Sequence, residues 1–198
     1  MAALLALLLA TTAEALQPTN LSVDYWAPSD VAAAKLAWVD AFASRGVRFS
    51  WQLSATAGVR GMAQAAYQLQ VSGAGETTAW DSGVVQSNRT LHIGYSGDTP
   101  LGADARYRWR VQVTDSQGVA SEFSPWQSIA TALSPAEWEP SAWINGGSAG
   151  NQLRNEFFLD AELHAAMAHA SLFYSGVGYG LAWLNGVAVA PEEALGPW

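Results

Sequence analysis

Apolar and polar side chains alternate along much of this chain, and the period is two. Over 106–113, Tyr107, Trp109, Val111 and Val113 take every second place, with Arg106, Arg108, Arg110 and Gln112 between them. That is the pattern of a strand with one face in a core and the other in water. Phe49, Trp51, Leu53, then Tyr67, Leu69, Val71, then Leu91, Ile93, Tyr95 repeat it. Each large side chain left wet would forfeit roughly 1.5–3 kcal/mol, so the alternation predicts two sheets closing over one interior. Strands are predicted at 21–25, 47–53, 66–72, 90–95, 105–114 and 127–131. Turn signals separate them at 57–58, 72–75, 81–83, 96–98 and 115–118. One segment breaks the pattern: 29–42 is Ala-rich, with Ser29 or Asp30 as N-cap and Gly46 beyond its end, which predicts a short helical insertion.

The pattern changes after residue 133. Pro135 and Pro140 mark 134–141 as a linker, and 142–198 carries further strand candidates at 153–159, 168–175, 179–184 and 187–190. Asn185-Gly186, between the last two, is the strongest two-residue hairpin signal, because both positions tolerate positive φ. This second module is near the size at which a single core becomes marginal. Its edges are predicted to be open. The fold class expected is all-β: a sandwich over 16–133, then an incomplete second sandwich.

Composition narrows the setting. The 198 residues are 50% hydrophobic and 13% charged, with ten Trp and a formal charge of −8, which is globular and a poor match for nucleic acid or anionic membranes. Residues 1–10 are apolar and uncharged, and Ala13-x-Ala15 follows, so 1–15 reads as a signal peptide. It is shorter than the roughly 20 apolar residues that span a bilayer. Sequons at Asn20 and Asn88 fit a secretory route. There is no cysteine, so core burial must hold the domain without disulfides.

Short motifs follow one another along the chain. Phe49-Ser50-Trp51-Gln52-Leu53, Ala66-Tyr67-Gln68-Leu69-Gln70-Val71, Trp80-Asp81-Ser82-Gly83, Tyr107-Arg108-Trp109-Arg110-Val111, Ser124-Pro125-Trp126 and Trp143-Ile144 are followed by Leu153-Arg154-Asn155-Glu156-Phe157, 175–179, Leu184-Asn185-Gly186 and Gly196-Pro197-Trp198. In this the chain resembles the N-terminal region of bacterial-type α-L-rhamnosidases. The resemblance implies a fibronectin type III- or immunoglobulin-like sandwich and then the opening of the family's N-terminal rhamnosidase β-sandwich. It also implies that hydrolysis of terminal α-L-rhamnose, with inversion by two carboxylates, takes place in a helical barrel. No position here matches those carboxylates, so no catalytic residue is assigned, and no metal or other cofactor. Rhamnose-containing glycosides are the implied partner of the full-length enzyme, with later domains packing on this region. The insertion at 29–43 departs from the family. A stand-alone secreted carbohydrate-binding or adhesion module is the alternative function.

Candidate chemistry within the chain has bland counterparts. Tyr179, Trp183 and Trp198 can stack on sugar faces or simply fill a β core. Arg106, Arg108 and Arg110 can grip acidic glycans or form a solvated face paired with carboxylates on the next strand. Asp81, Asp98, Asp104 and Asp115 stand beside Gly or Ser, where Asp caps its own turn, while Glu156, Asp160 and Glu162 are expected on or near a strand. His164 and His169 have no partners at metal-ligand spacing. Gly176-x-Gly178-x-Gly180 lacks the spacing of a dinucleotide fingerprint.

Overall fold

The computed structural model describes residues 16–26, 36–55, 60–145, 147, 152–175 and 181–189. Contacts divide the chain into two units, Met1–Pro140 and Ser141–Trp198.

The first unit is a β-sandwich. One sheet has the order β1 (Gln17–Val23), β3 (Arg48–Ser54), β7 (Ile93–Gly94). The other runs β2 (Ala37–Val39), β9 (Gln127–Thr131), β8 (Arg106–Asp115), β4 (Gln64–Ser72), β5 (Thr78–Asp81), with β6 (Val85–Gln86) also paired to β4. The period-two faces meet as expected. Phe49, Trp51, Leu69, Val71, Trp109, Val111, Val113 and Ile129 are all buried, and Phe49 packs against Trp109 with ring centres 4.7 Å apart. Tyr107, at the start of β8, accepts the Gly102 N–H on its hydroxyl at 2.8 Å, the tyrosine corner that pins the loop entering this strand in immunoglobulin-like sandwiches.

A buried amide completes the interior. Gln64, 3% exposed, accepts the Trp51 indole N–H at 3.0 Å and donates to the carbonyls of Ser87 and Arg89, both at 3.0 Å. The largest aromatic of β3 is thereby tied to β4 and to the loop after β6. The oxygen and the nitrogen of this buried amide both have partners, as burial requires.

The helical insertion expected at 29–42 does not hold where it can be compared. Ala37–Val39 is a strand, paired in parallel with Ile129, Ala130 and Thr131 of β9, and Asp40 caps the following turn by accepting the Phe42 and Ala43 N–H groups. Ala37 and Val39 are buried, so alternation and the open edge of β9 override Ala helix propensity. Residues 29–35 lie outside those described. The 90–95 strand shrinks to Ile93–Gly94 and leaves Leu91 exposed. Strands β5 and β6 were not foreseen. They follow one another along the same edge of β4, separated by a break at Gly83, whose φ is +58°.

The linker segment contains a short helix, α1 (Pro135–Trp138), closed by a capping box between Ser134 and Glu137. In the second unit the expected strands at 153–159 and 168–175 are absent: those residues are irregular, and α2 (Ala161–Ala166) lies between them. Asp160 caps α2 through the Leu163 N–H at 2.7 Å. No neighbouring strand pairs with either segment among the described residues, and an isolated strand leaves its backbone groups unpaired. The Asn185-Gly186 hairpin forms as predicted, joining β10 (Trp183–Leu184) to β11 (Val187–Ala188). Its two central residues have φ +50° and +80°, as a type I′ turn demands.

Candidate functional site

Two of the three aromatic candidates, Tyr179 and Trp198, lie outside the described residues, as do the signal segment and the glycine run 176–180. Trp183 stands on β10 with 58% of its surface exposed. Asn88 is exposed in the loop after β6. Asn20 is also exposed, but its side-chain amide donates to Gln52 at 2.7 Å. His164 is in the last turn of α2, and Glu162 is in its first. Glu156 pairs with Arg154 off any strand. No cluster of three metal-ligating side chains occurs among the described residues.

The turn aspartates behave as caps where they bond. Asp115, 1% exposed, accepts the N–H groups of Gln117 and Val119. Asp81 accepts the Gly83 N–H and the side-chain amides of Gln68 and Gln70. Burial works against its charge, but those hydrogen bonds and the nearby Arg110 outweigh it and hold the carboxyl below the usual aspartate value.

The most developed polar site is on the outward face of the larger sheet. The register of β8 against β4 sets Arg110 opposite Gln70 and Arg108 opposite Ser72. The Arg110 Nε–H donates to Gln70 at 2.8 Å, and Arg108 donates to Glu76 at 3.0 Å. Both guanidinium groups lie over the Trp126 ring, at 4.6 Å for Arg108 and 4.3 Å for Arg110, and Arg110 also lies 4.3 Å from Phe123. An open groove of about 390 Å³ runs between these side chains, lined by Gln70, Ser72, Glu76, Thr78 and Trp126 with the two arginines.

The pairing of these arginines with carboxylates of the next strand is therefore corrected. The main partners of Arg108 and Arg110 are aromatic rings and an amide; among the described residues the carboxylate hydrogen-bonded to them belongs to a 3₁₀ turn, Ala74–Glu76, between β4 and β5, and Asp81 lies near Arg110. Trp126 precedes β9, and antiparallel pairing of β9 with β8, which sets Gln127 opposite Trp109, brings it beside Arg110 and within reach of Arg108. The sequence shows the alternating arginines plainly. It carries no local signal that a residue 16 to 18 places further on will cover them.

The fold and this face define the class: an immunoglobulin-like β-sandwich domain in which no described cluster has the make-up of a metal centre. The family model for the Rha78A-like, N-terminal immunoglobulin domain matches residues 33–135, just over half of the chain. The chain belongs to that family. An α-L-rhamnosidase of Streptomyces avermitilis is 36% identical over 102 residues, covering 50% of this chain and 10% of the relative. The solved structure of Streptomyces avermitilis α-L-rhamnosidase complexed with L-rhamnose superposes with a TM-score of 0.52 at 29% identity, over 63% of this chain and 11% of that one. An α-L-rhamnosidase from Dictyoglumus thermophilum gives a TM-score of 0.49 at 28% identity, over 61% and 13%. The chain thus spans about a tenth of the length of the curated relative it matches.

Proposed function

We propose that this chain is the non-catalytic N-terminal portion of a secreted α-L-rhamnosidase-like glycoside hydrolase. Its sandwich serves as a scaffold on which later domains pack, and the terminal α-L-rhamnose of glycosides is the substrate of the complete enzyme. The observation that carries this reading is the match of 33–135 to the N-terminal immunoglobulin domain of that family. The placement of the carboxylates agrees with it. Inverting glycosidases need an acid and a base about 6.5–9.5 Å apart across a cleft that admits water, whereas Asp81 and Asp115 here are held by their own turns. A secretory route rests on the apolar run 1–10, the Ala13-x-Ala15 pattern and the sequons at Asn20 and Asn88. The purified chain, incubated with p-nitrophenyl α-L-rhamnoside, is expected to release p-nitrophenol no faster than buffer. Turnover that co-purifies with the chain would overturn the reading.

A further inference from the structure

The groove on the outward face of the larger sheet joins features that a scaffold does not require. The protein is acidic overall, with nine basic residues against seventeen acidic ones, yet Arg108 and Arg110 share one strand face. Each guanidinium has five N–H donors, and a single side-chain hydrogen bond to protein is formed by each among the described residues. Both guanidinium groups lie over the Trp126 ring and Arg110 also lies over Phe123, contacts that restrict the two side chains before a ligand arrives.

Glu76 shows where an anion sits. Its carboxylate contacts Arg108 at 3.0 Å, but the side chain is 80% exposed, and exposed ion pairs of this kind are weak. It stands at the end of a three-residue turn in which Gly75 and Glu76 both have positive φ, +67° and +64°. That conformation is costly for a residue other than glycine, asparagine or aspartate. A carboxylate from outside can take its place on Arg108. Beyond its bonds to Arg110 and Asp81, Gln70 keeps one N–H and one lone pair, and Thr78 adds a hydroxyl along the groove, with Trp126 beside them. The volume of about 390 Å³ is within the roughly 300–1,000 Å³ of small-ligand sites.

We propose that this groove binds a carboxylate-bearing saccharide, a uronic acid unit of an acidic glycan. Its carboxylate displaces Glu76 from Arg108 and is shared with Arg110, while its hydroxyl groups meet Gln70 and Thr78. Partners for hydroxyl groups beside the two cations favour a sugar acid over an acidic peptide. The site does not depend on the glycosidase reading: it stands or falls on the arginine face alone.

The test is a heteronuclear NMR titration of the full chain with trigalacturonate, following the Trp126 indole N–H and the Arg108 and Arg110 Nε–H signals. Binding should shift these three and weaken with added salt. The fully methyl-esterified trisaccharide, which keeps the shape and loses the charge, should not bind. Arg110→Gln should weaken binding about tenfold or more, as loss of a charge-assisted hydrogen bond does. Glu76→Gln should tighten it by about two- to fivefold, because the competing ion pair is gone, and a misfolded protein cannot give that gain. Equal binding of the methyl ester, unchanged affinity in Arg110→Gln, no gain in Glu76→Gln, or shifts confined to other residues would each overturn the proposal. Equal or tighter binding of a hexaglutamate peptide would overturn the saccharide assignment.

Discussion

Gln64 and Asp81 show how single side chains set the stability of this sandwich, one by being buried and the other by being charged. Gln64→Leu keeps the volume and removes an acceptor and two donors, stranding the Trp51 indole N–H and the carbonyls of Ser87 and Arg89. Buried groups left without partners cost about 1–3 kcal/mol each. Partial relaxation of the loop makes a total loss of about 2–4 kcal/mol the expected result in urea unfolding. Asp81 acts through pH. Its folded-state pKa lies below the ordinary value of about 3.9, since hydrogen bonds from Gln68, Gln70 and Gly83 outweigh the cost of burial. Its contribution is therefore complete above that ordinary value and disappears as pH falls through the lower folded one. Asp81→Asn should lower the unfolding midpoint at neutral pH, and the gap from the parent chain should close on the acid side of pH 4. A gap that widens on acidification would contradict this assignment. Residue types announced these roles unevenly. Asp81-Ser82-Gly83 reads as a turn with its cap, whereas nothing in the neighbourhood of Gln64 says that its partners lie at 51, 87 and 89.

At the scale of the element, period two was legible in most of the long strands, although β1 starts at Gln17, four residues ahead of the expected 21–25. Strands β3, β4, β8 and β9 fall within about two residues of the expected positions, and their apolar members point inward. The errors gather in the short elements. Ala37–Val39 sits in an Ala-rich run whose local preference is helical, and it becomes a strand because β9 has an edge to fill. Strands β5 and β6 are too short to show a period and exist as partners of β4. In the second unit, 153–159 and 168–175 have strand-like composition without strand partners among the described residues, and α2 arises from a cap, Asp160, that the strand reading passed over. The hairpin at Asn185-Gly186 was legible because its instruction is entirely local.

The whole molecule is uneven in how much it buries. From Leu16 to Thr131 each sheet contributes large side chains to one interior, while no described residue after Pro140 is fully buried. Trp143, Ile144, Phe157 and Phe158 are among the exposed apolar groups there. Local opening is easiest where few apolar contacts cover the backbone. Amide exchange followed by mass spectrometry should therefore show strong protection over β3, β4 and β8 and rapid exchange over 152–175. Equal protection of the two regions would mean that the second unit has a core of its own.

Alternation, turn residues and the short motifs along the chain were enough to determine the all-β class, the inward faces of the long strands and the kinship with α-L-rhamnosidases, because each of these is written in neighbouring residues. The tertiary structure alone decided that Ala37–Val39 pairs with β9, that Gln64 anchors Trp51, and that Trp126 lies across Arg108 and Arg110. Those outcomes depend on which strand edges and side chains remain unpartnered once the sheets have met, and residues 13 to 92 places apart in the sequence meet only then.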